Sequence, residues 1–216
     1  MEIDMKTLDP YIPEELKIVT SLDGKICDED KLEALLLQDI WIENQNASHV
    51  IIKECMLRNV VFVDVQLRKI ELSNVILQGC DLSNIECEEL MLHRVKFIGC
   101  KLIGSHFYKS AGHYVTFEEC LCTYMNAGFS HWQEVIFDSC DLSYASLIEC
   151  KYNKVFFKEC KLSLAEFAGT RLKDIDLSSC NIEGIKIKVN DLVGVKLSSI
   201  QALEFIKLMG IVITDQ

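Results

Sequence analysis

The chain has 216 residues, half of them hydrophobic and a quarter charged, which is the composition of a globular protein with a real core. Its formal net charge of −11 argues against direct binding of nucleic acid, because a protein that sits on phosphates needs a positive footprint. No basic segment followed by an apolar run opens the chain, and no later stretch reaches the roughly 18 uninterrupted apolar residues of a membrane helix, so a cytoplasmic protein without a membrane partner is expected.

Residues 1–48 read as an N-terminal cap. Pro10 and Pro13 mark an extended lead-in, and Leu32, Leu35, Leu37, Ile40 and Ile42 suit an irregular first coil. The acidity is concentrated here: residues 1–45 carry twelve acids and four bases.

Residues 49–197 carry a repeat that decides the fold. Of the thirty positions taken every five residues from Ile52 to Leu197, twenty-nine are apolar, Gly112 being the exception. Of the thirty from Val50 to Val195, twenty-five are apolar; Ser105, Ser110, Ser130, Thr170 and Asn190 are not. An apolar pair at spacing two, recurring every five residues, fits neither a 3.6-residue helix nor an alternating strand. It fits a chain that turns a corner every five residues and points two side chains inward on each side.

The units Cys80-Asp81-Leu82-Ser83-Asn84, Cys140-Asp141-Leu142-Ser143-Tyr144 and Ala165-Glu166-Phe167-Ala168-Gly169 resemble the pentapeptide repeat family. The resemblance implies an all-β fold, a right-handed quadrilateral parallel β-helix in which four repeats close one square coil. A second period of twenty should follow, and the sequence has it. Cys80, Cys100, Cys120, Cys140, Cys160 and Cys180 form one ladder; Phe97, Phe117, Phe137 and Phe157 form another. Rungs should lie ~4.8 Å apart, the strand spacing of a sheet. Between Ser105 and Gly112 alone the pattern thins enough to permit a bulge or distorted corner.

Residues 198–216 read as a helix begun by a serine cap, stopped at Gly210, and followed by a strand at Ile211-Val212-Ile213. This ending resembles that of the Qnr and mycobacterial fluoroquinolone-resistance branch of the family. The resemblance implies a homodimer joined through Leu203, Ile206, Leu208, Ile211 and Ile213. It further implies a rod that mimics duplex DNA to engage a type II topoisomerase, gyrase or topoisomerase IV.

The eleven cysteines all fall on expected inward positions, Cys27 included, where a thiol behaves as a small hydrophobe; adjacent rungs are within disulfide reach. A ladder on one wall cannot surround zinc tetrahedrally. His49, His93, His106, His113 and His131 all fall outward, and His93 and His113, one coil apart, lack a third ligand. Neither a catalytic constellation nor a phosphate loop emerges, so the expectation is no enzyme, no cofactor and no metal.

The outer surface remains. Between Leu102 and Cys150 six acids, Glu118, Glu119, Glu134, Asp138, Asp141 and Glu149, face one base, Lys109, and they are the expected partner-binding residues. Outward Ile136 with Phe156 and Tyr124 with Tyr144 offer an apolar contact patch. A scaffold rod that binds some other protein is the competing reading.

Overall fold

The five-residue period becomes a parallel β-solenoid. A computed structural model describes residues 8–21 and 24–208. The strands, in chain order, are β1 (Lys17–Val19), β2 (Lys31–Glu33), β3 (Leu35–Gln38), β4 (Trp41–Glu43), β5 (Asn46–Ser48), β6 (Ile51–Arg58), β7 (Val61–Val63), β8 (Gln66–Arg68), β9 (Glu71–Gln78), β10 (Met91–Ile98), β11 (Ala111–Glu118), β12 (His131–Asp138) and β13 (Lys151–Lys158). Helix α1 (Ser199–Leu208) ends the described part.

Strands β2 to β6 and β9 to β12 each pair in parallel with the one twenty residues later, as in Lys31↔Ile51, Val95↔Val115 and Ile136↔Phe156. Four walls follow. Wall 1 holds residues 50–54 and wall 2 residues 55–59; walls 3 and 4 hold 60–64 and 65–69, and each recurs every twenty residues. The eight-residue strands run across walls 1 and 2 together. Walls 3 and 4 become single bridges joined by tight turns, such as Ser105 N to Leu102 O at 3.2 Å and Ala145 N to Leu142 O at 3.0 Å. At the corners, Ser179 and Val189 excepted, the fifth residue adopts a left-handed backbone, for example Glu119 (φ 52), Tyr144 (φ 62) and Gly104 (φ 64), as a turn with positive φ at its third position requires.

The core is the predicted pair of inward positions. Phe97, Phe117, Phe137 and Phe157 stack nearly coplanar at 4.7, 4.7 and 5.1 Å. Four of the five polar exceptions are buried and satisfied, as where Ser130 Oγ donates to Phe107 O at 3.1 Å and Thr170 Oγ1 to Leu147 O at 2.6 Å, whereas Asn190 is exposed in a 3-10 turn over Val189–Leu192. A hydroxyl in the small slot can reach the backbone of the preceding coil, which removes the penalty for burying it.

Three expectations are corrected. The coils begin before residue 49, since β2 to β5 already stand in twenty-residue register with β6 to β8; Leu37, Ile40 and Ile42 are core residues of a regular coil. Upstream the register slips, because Lys17 pairs with Leu35, an offset of eighteen. Extrapolating the period into that stretch misplaces Cys27, which is exposed, while Ile26 turns inward. Finally, no bulge interrupts residues 105–112: β10 and β11 keep full register through Leu92↔Gly112. Gly112 is instead a space, and Trp132 fills it; a Cβ there would lie 2.5 Å from the indole ring.

At the far end Ser198 and Gln201 form a reciprocal cap on α1, Ser198 N donating to Gln201 Oε1 at 2.8 Å and Gln201 N to Ser198 Oγ at 3.3 Å. Gln201 Nε2 also donates to Leu177 O and Cys180 O, both at 2.8 Å, and so ties the helix to the last coils. Phe205 is buried against the same end. Gln201→Ala should lower stability by about 1–3 kcal/mol, since two buried carbonyls lose their donor; loss of α1 ellipticity before the main thermal transition would show it. The expected stop at Gly210 and the strand at 211–213 lie outside the described residues.

The N-terminal lead-in runs back along the outside of wall 2. Tyr11 N donates to Asn74 Oδ1 at 3.0 Å and the Asp9 carboxylate meets Lys96 Nζ at 2.6 Å.

Candidate functional site

The corner-every-five geometry decides where each predicted acid lands. Glu118 and Asp138 are register partners on wall 2, Glu119 is at the corner between walls 2 and 3, and Asp141 is the next outward position on wall 3. These four share one edge over two successive rungs. Glu134 occupies the opposite corner of wall 2, and Glu149 the corner between walls 4 and 1, so neither joins them. The tyrosines divide from the other apolar pair in the same way. Tyr124 and Tyr144 stack at 4.8 Å on the corner between walls 3 and 4, whereas Ile136 and Phe156 pair on wall 2. They are two patches, not one.

A row of lysines one coil later was missed as a partner set for these acids. Lys154 Nζ is 2.6 Å from Glu134, Lys158 Nζ 2.9 Å from Asp138 and Lys161 Nζ 3.5 Å from Asp141. The signal was the twenty-residue offset, which places 154, 158 and 161 directly on 134, 138 and 141. The repulsion between stacked Glu118 and Asp138 is thereby relieved on one side.

The hydrogen bond from Lys154 holds the Glu134 carboxyl below its ordinary range. Burial pushes Asp141 upward, but hydrogen bonds from Ser143, with Lys161 nearby, outweigh it, so that carboxyl too is depressed. A depressed carboxyl stabilises the fold above the unfolded pKa of about 4.3 and loses that contribution as pH falls through the folded value. Lys154→Ala should therefore narrow the gap between melting temperatures measured at neutral pH and near pH 3, by lowering the neutral one.

The buried thiols are inert. Cys120 Sγ donates to Phe97 O at 3.4 Å and Cys140 Sγ to Phe117 O at 3.3 Å, and the same bond recurs up the ladder. Burial pushes the Cys87 thiol up to about 12 and the Cys150 thiol up to about 11, far from the thiolate that oxidation and metal binding need. The His93 and His113 rings meet at a tilt of 54° with centroids 5.5 Å apart, and His113 Nε2 is 3.8 Å from Glu134. Among the described residues no group of three or more His, Cys, Asp or Glu could hold a metal. An open groove of about 490 Å³ crosses wall 1 over Gly112, rimmed by Met91, His93, His113 and His131.

A parallel solenoid turning every five residues, with its inner positions filled and its polar groups in stacked outer rows, defines a repeat protein of the β-solenoid class. Two family models match, pentapeptide repeat region over residues 130–205 and pentapeptide repeats over residues 70–108, together more than half of the chain. The chain belongs to the pentapeptide repeat proteins. It is 31% identical over 125 residues to the uncharacterized protein YisX of Bacillus subtilis (strain 168), a match that spans 58% of each chain. Among solved structures it is similar to trypsin-treated QnrB1, a plasmid-mediated fluoroquinolone resistance protein, at TM-score 0.42 and 18% identity over 85% of this chain and 100% of that one. It is also similar to HetL, a pentapeptide repeat protein involved in heterocyst differentiation regulation from Nostoc sp. strain PCC 7120, at TM-score 0.27 and 13% identity over 78% and 87%. No helix among the described residues is long and apolar enough to cross a membrane.

Proposed function

We propose that this rod is a non-catalytic binding protein that engages a type II topoisomerase, gyrase or topoisomerase IV, offering the edge between walls 2 and 3 where duplex DNA would lie. The observation that supports this best is the convergence of Glu118, Glu119, Asp138 and Asp141 on that edge. Sheets pack ~10 Å apart, so a square coil with its outer side chains is roughly 20–25 Å wide, close to a duplex. The C-terminal segment would join two rods end to end. Ile200 (77% exposed) and Leu203 (48% exposed) supply an apolar face on α1, with half-buried Ile206 beside it; the Leu208 side chain, Ile211 and Ile213 lie outside the described residues. Sedimentation of the intact chain as a dimer, and of a Leu203→Glu variant as a monomer, is expected.

Supercoiling and cleavage assays with purified gyrase and topoisomerase IV, with and without a fluoroquinolone, test the reading. The effect should weaken as salt rises. It should vanish when Glu118, Glu119, Asp138 and Asp141 are replaced together by Gln or Asn, all four lying outside the core. A scaffold rod serving another protein is the second reading, and Lys158 and Lys161 favour it. They neutralise half of the edge, whereas duplex DNA carries about one charge per 1.7 Å of axis. That reading predicts no effect in either assay.

A further inference from the structure

The groove of about 490 Å³ on wall 1 runs along the rod between two outward rows. Met91, Ala111, His131 and Lys151 follow one another on successive rungs of the first row, and Ala111, the short member, makes a notch between longer neighbours. His93, His113, Gln133 and Asn153 form the second row, two residues along each strand and so roughly 6.6 Å across. From Met91 to Lys151 the groove covers three rung steps, about 14 Å. Its volume falls in the range of small-molecule sites, ~300–1,000 Å³.

The two ends differ in charge. Glu71 closes one end. Beside it burial, with Arg94 and His113 close by, pushes the His93 imidazole below its ordinary value, so the ring is uncharged at neutral pH. That neutral ring and the exposed thioether of Met91 suit a flat apolar group, since sulfur and ring faces both pack well on aromatic carbon.

At the other end the charge is positive and unanswered. Lys53, Lys101, Lys154, Lys158 and Lys161 each pair with the acid twenty residues earlier. The residue twenty before Lys151 is His131, and the one twenty before Arg171 is Lys151. Among the described residues neither Lys151 nor Arg171 has an ion-pair partner. Asp191, twenty residues on from Arg171, accepts from Gly169 N at 2.9 Å instead. Like charges on adjacent rungs destabilise a sheet, and an anion laid against them removes that cost. The side-chain amides of Gln133 and Asn153 line the same end and add N–H donors.

We propose that this groove binds a small organic anion, a carboxylate or phosphate on a flat apolar body, with the anionic group between His131 and Lys151 and the body over Ala111 against Met91 and His93. Glu71 repels the anion from the opposite end and so fixes the direction in which the ligand lies. The site is on wall 1, apart from the acidic edge, and does not depend on what that edge binds.

An NMR titration of the intact chain with 2-naphthoate, 2-naphthyl phosphate and neutral 2-naphthol, following the imidazole protons of His93 and His131, tests the assignment. At least one anion should bind saturably, and 2-naphthol at least about tenfold more weakly; the tighter of the two anions tells carboxylate from phosphate. Lys151→Met should weaken the anion at least about tenfold and leave 2-naphthol unchanged, whereas Ala111→Leu, which fills the notch from outside the core, should weaken all three. Lys158→Met, which removes a cation from wall 2, should change nothing. Absence of saturable binding up to about 5 mM of either anion would overturn the proposal. Equal affinities in the intact chain, Lys151→Met and Ala111→Leu would overturn it too, as would an equal loss in Lys158→Met and Lys151→Met, since the probes would then respond to net charge alone.

Discussion

Phe117→Ala should lower the free energy of unfolding by about 3–5 kcal/mol, the range for a buried aromatic reduced to a methyl group. Phe117 is fully buried, with Phe97 on one side and Phe137 on the other at 4.7 Å, and Trp132 meets its edge at 6.3 Å. Its rung cannot collapse to fill the void, because each coil is held at a sheet spacing fixed by backbone bonds above and below, such as Gly99 N to Glu118 O at 2.8 Å and Glu119 N to Asp138 O at 2.9 Å. Stability in a solenoid is a sum of repeat and neighbour terms, so weakening a middle coil uncouples the two halves. A lower urea midpoint accompanied by a shallower slope is expected. An unchanged midpoint would mean that Phe117 does not stack between its neighbours.

The five-residue period made this part of the molecule legible, because a side chain that misses its inward turn exposes a wall; the phenylalanine and cysteine ladders stand at the expected positions for that reason. The same logic failed at Cys27. A period can be extended only while the register holds, and nothing in the residues 20–30 announces that two positions are lost there. The acidic edge was half legible. Positions alone assign Glu118 and Asp138 to one row, but reading the six acids as one band ignored the corners that carry Glu134 and Glu149 away. It also ignored the lysines stacked on them from the next coil. The lead-in had no signal of its own, since Asp9 and Tyr11 find Lys96 and Asn74 only after the coils have formed.

Gly112 shows how one departure from the pattern is explained by another. Its backbone is not left-handed, so conformational freedom is not the reason for a glycine. Space is. A Cβ would stand 2.5 Å from Trp132 Cε3 and Cζ3 and 3.1 Å from Val115 Cγ2, and the indole, 1% exposed, is too large for a slot that elsewhere holds leucine or phenylalanine. Restoring the common residue alone should therefore harm: Gly112→Leu should cost about 3 kcal/mol, the upper end for an overpacked core. Trp132→Leu alone should cost about 2 kcal/mol or more, through lost burial and the cavity left under Gly112. Together the two changes conserve volume across the rungs, and the double variant should return to within about 1.5 kcal/mol of the parent. Denaturation of all four chains gives the coupling directly, and two additive penalties would show that the indole does not occupy the space above Gly112.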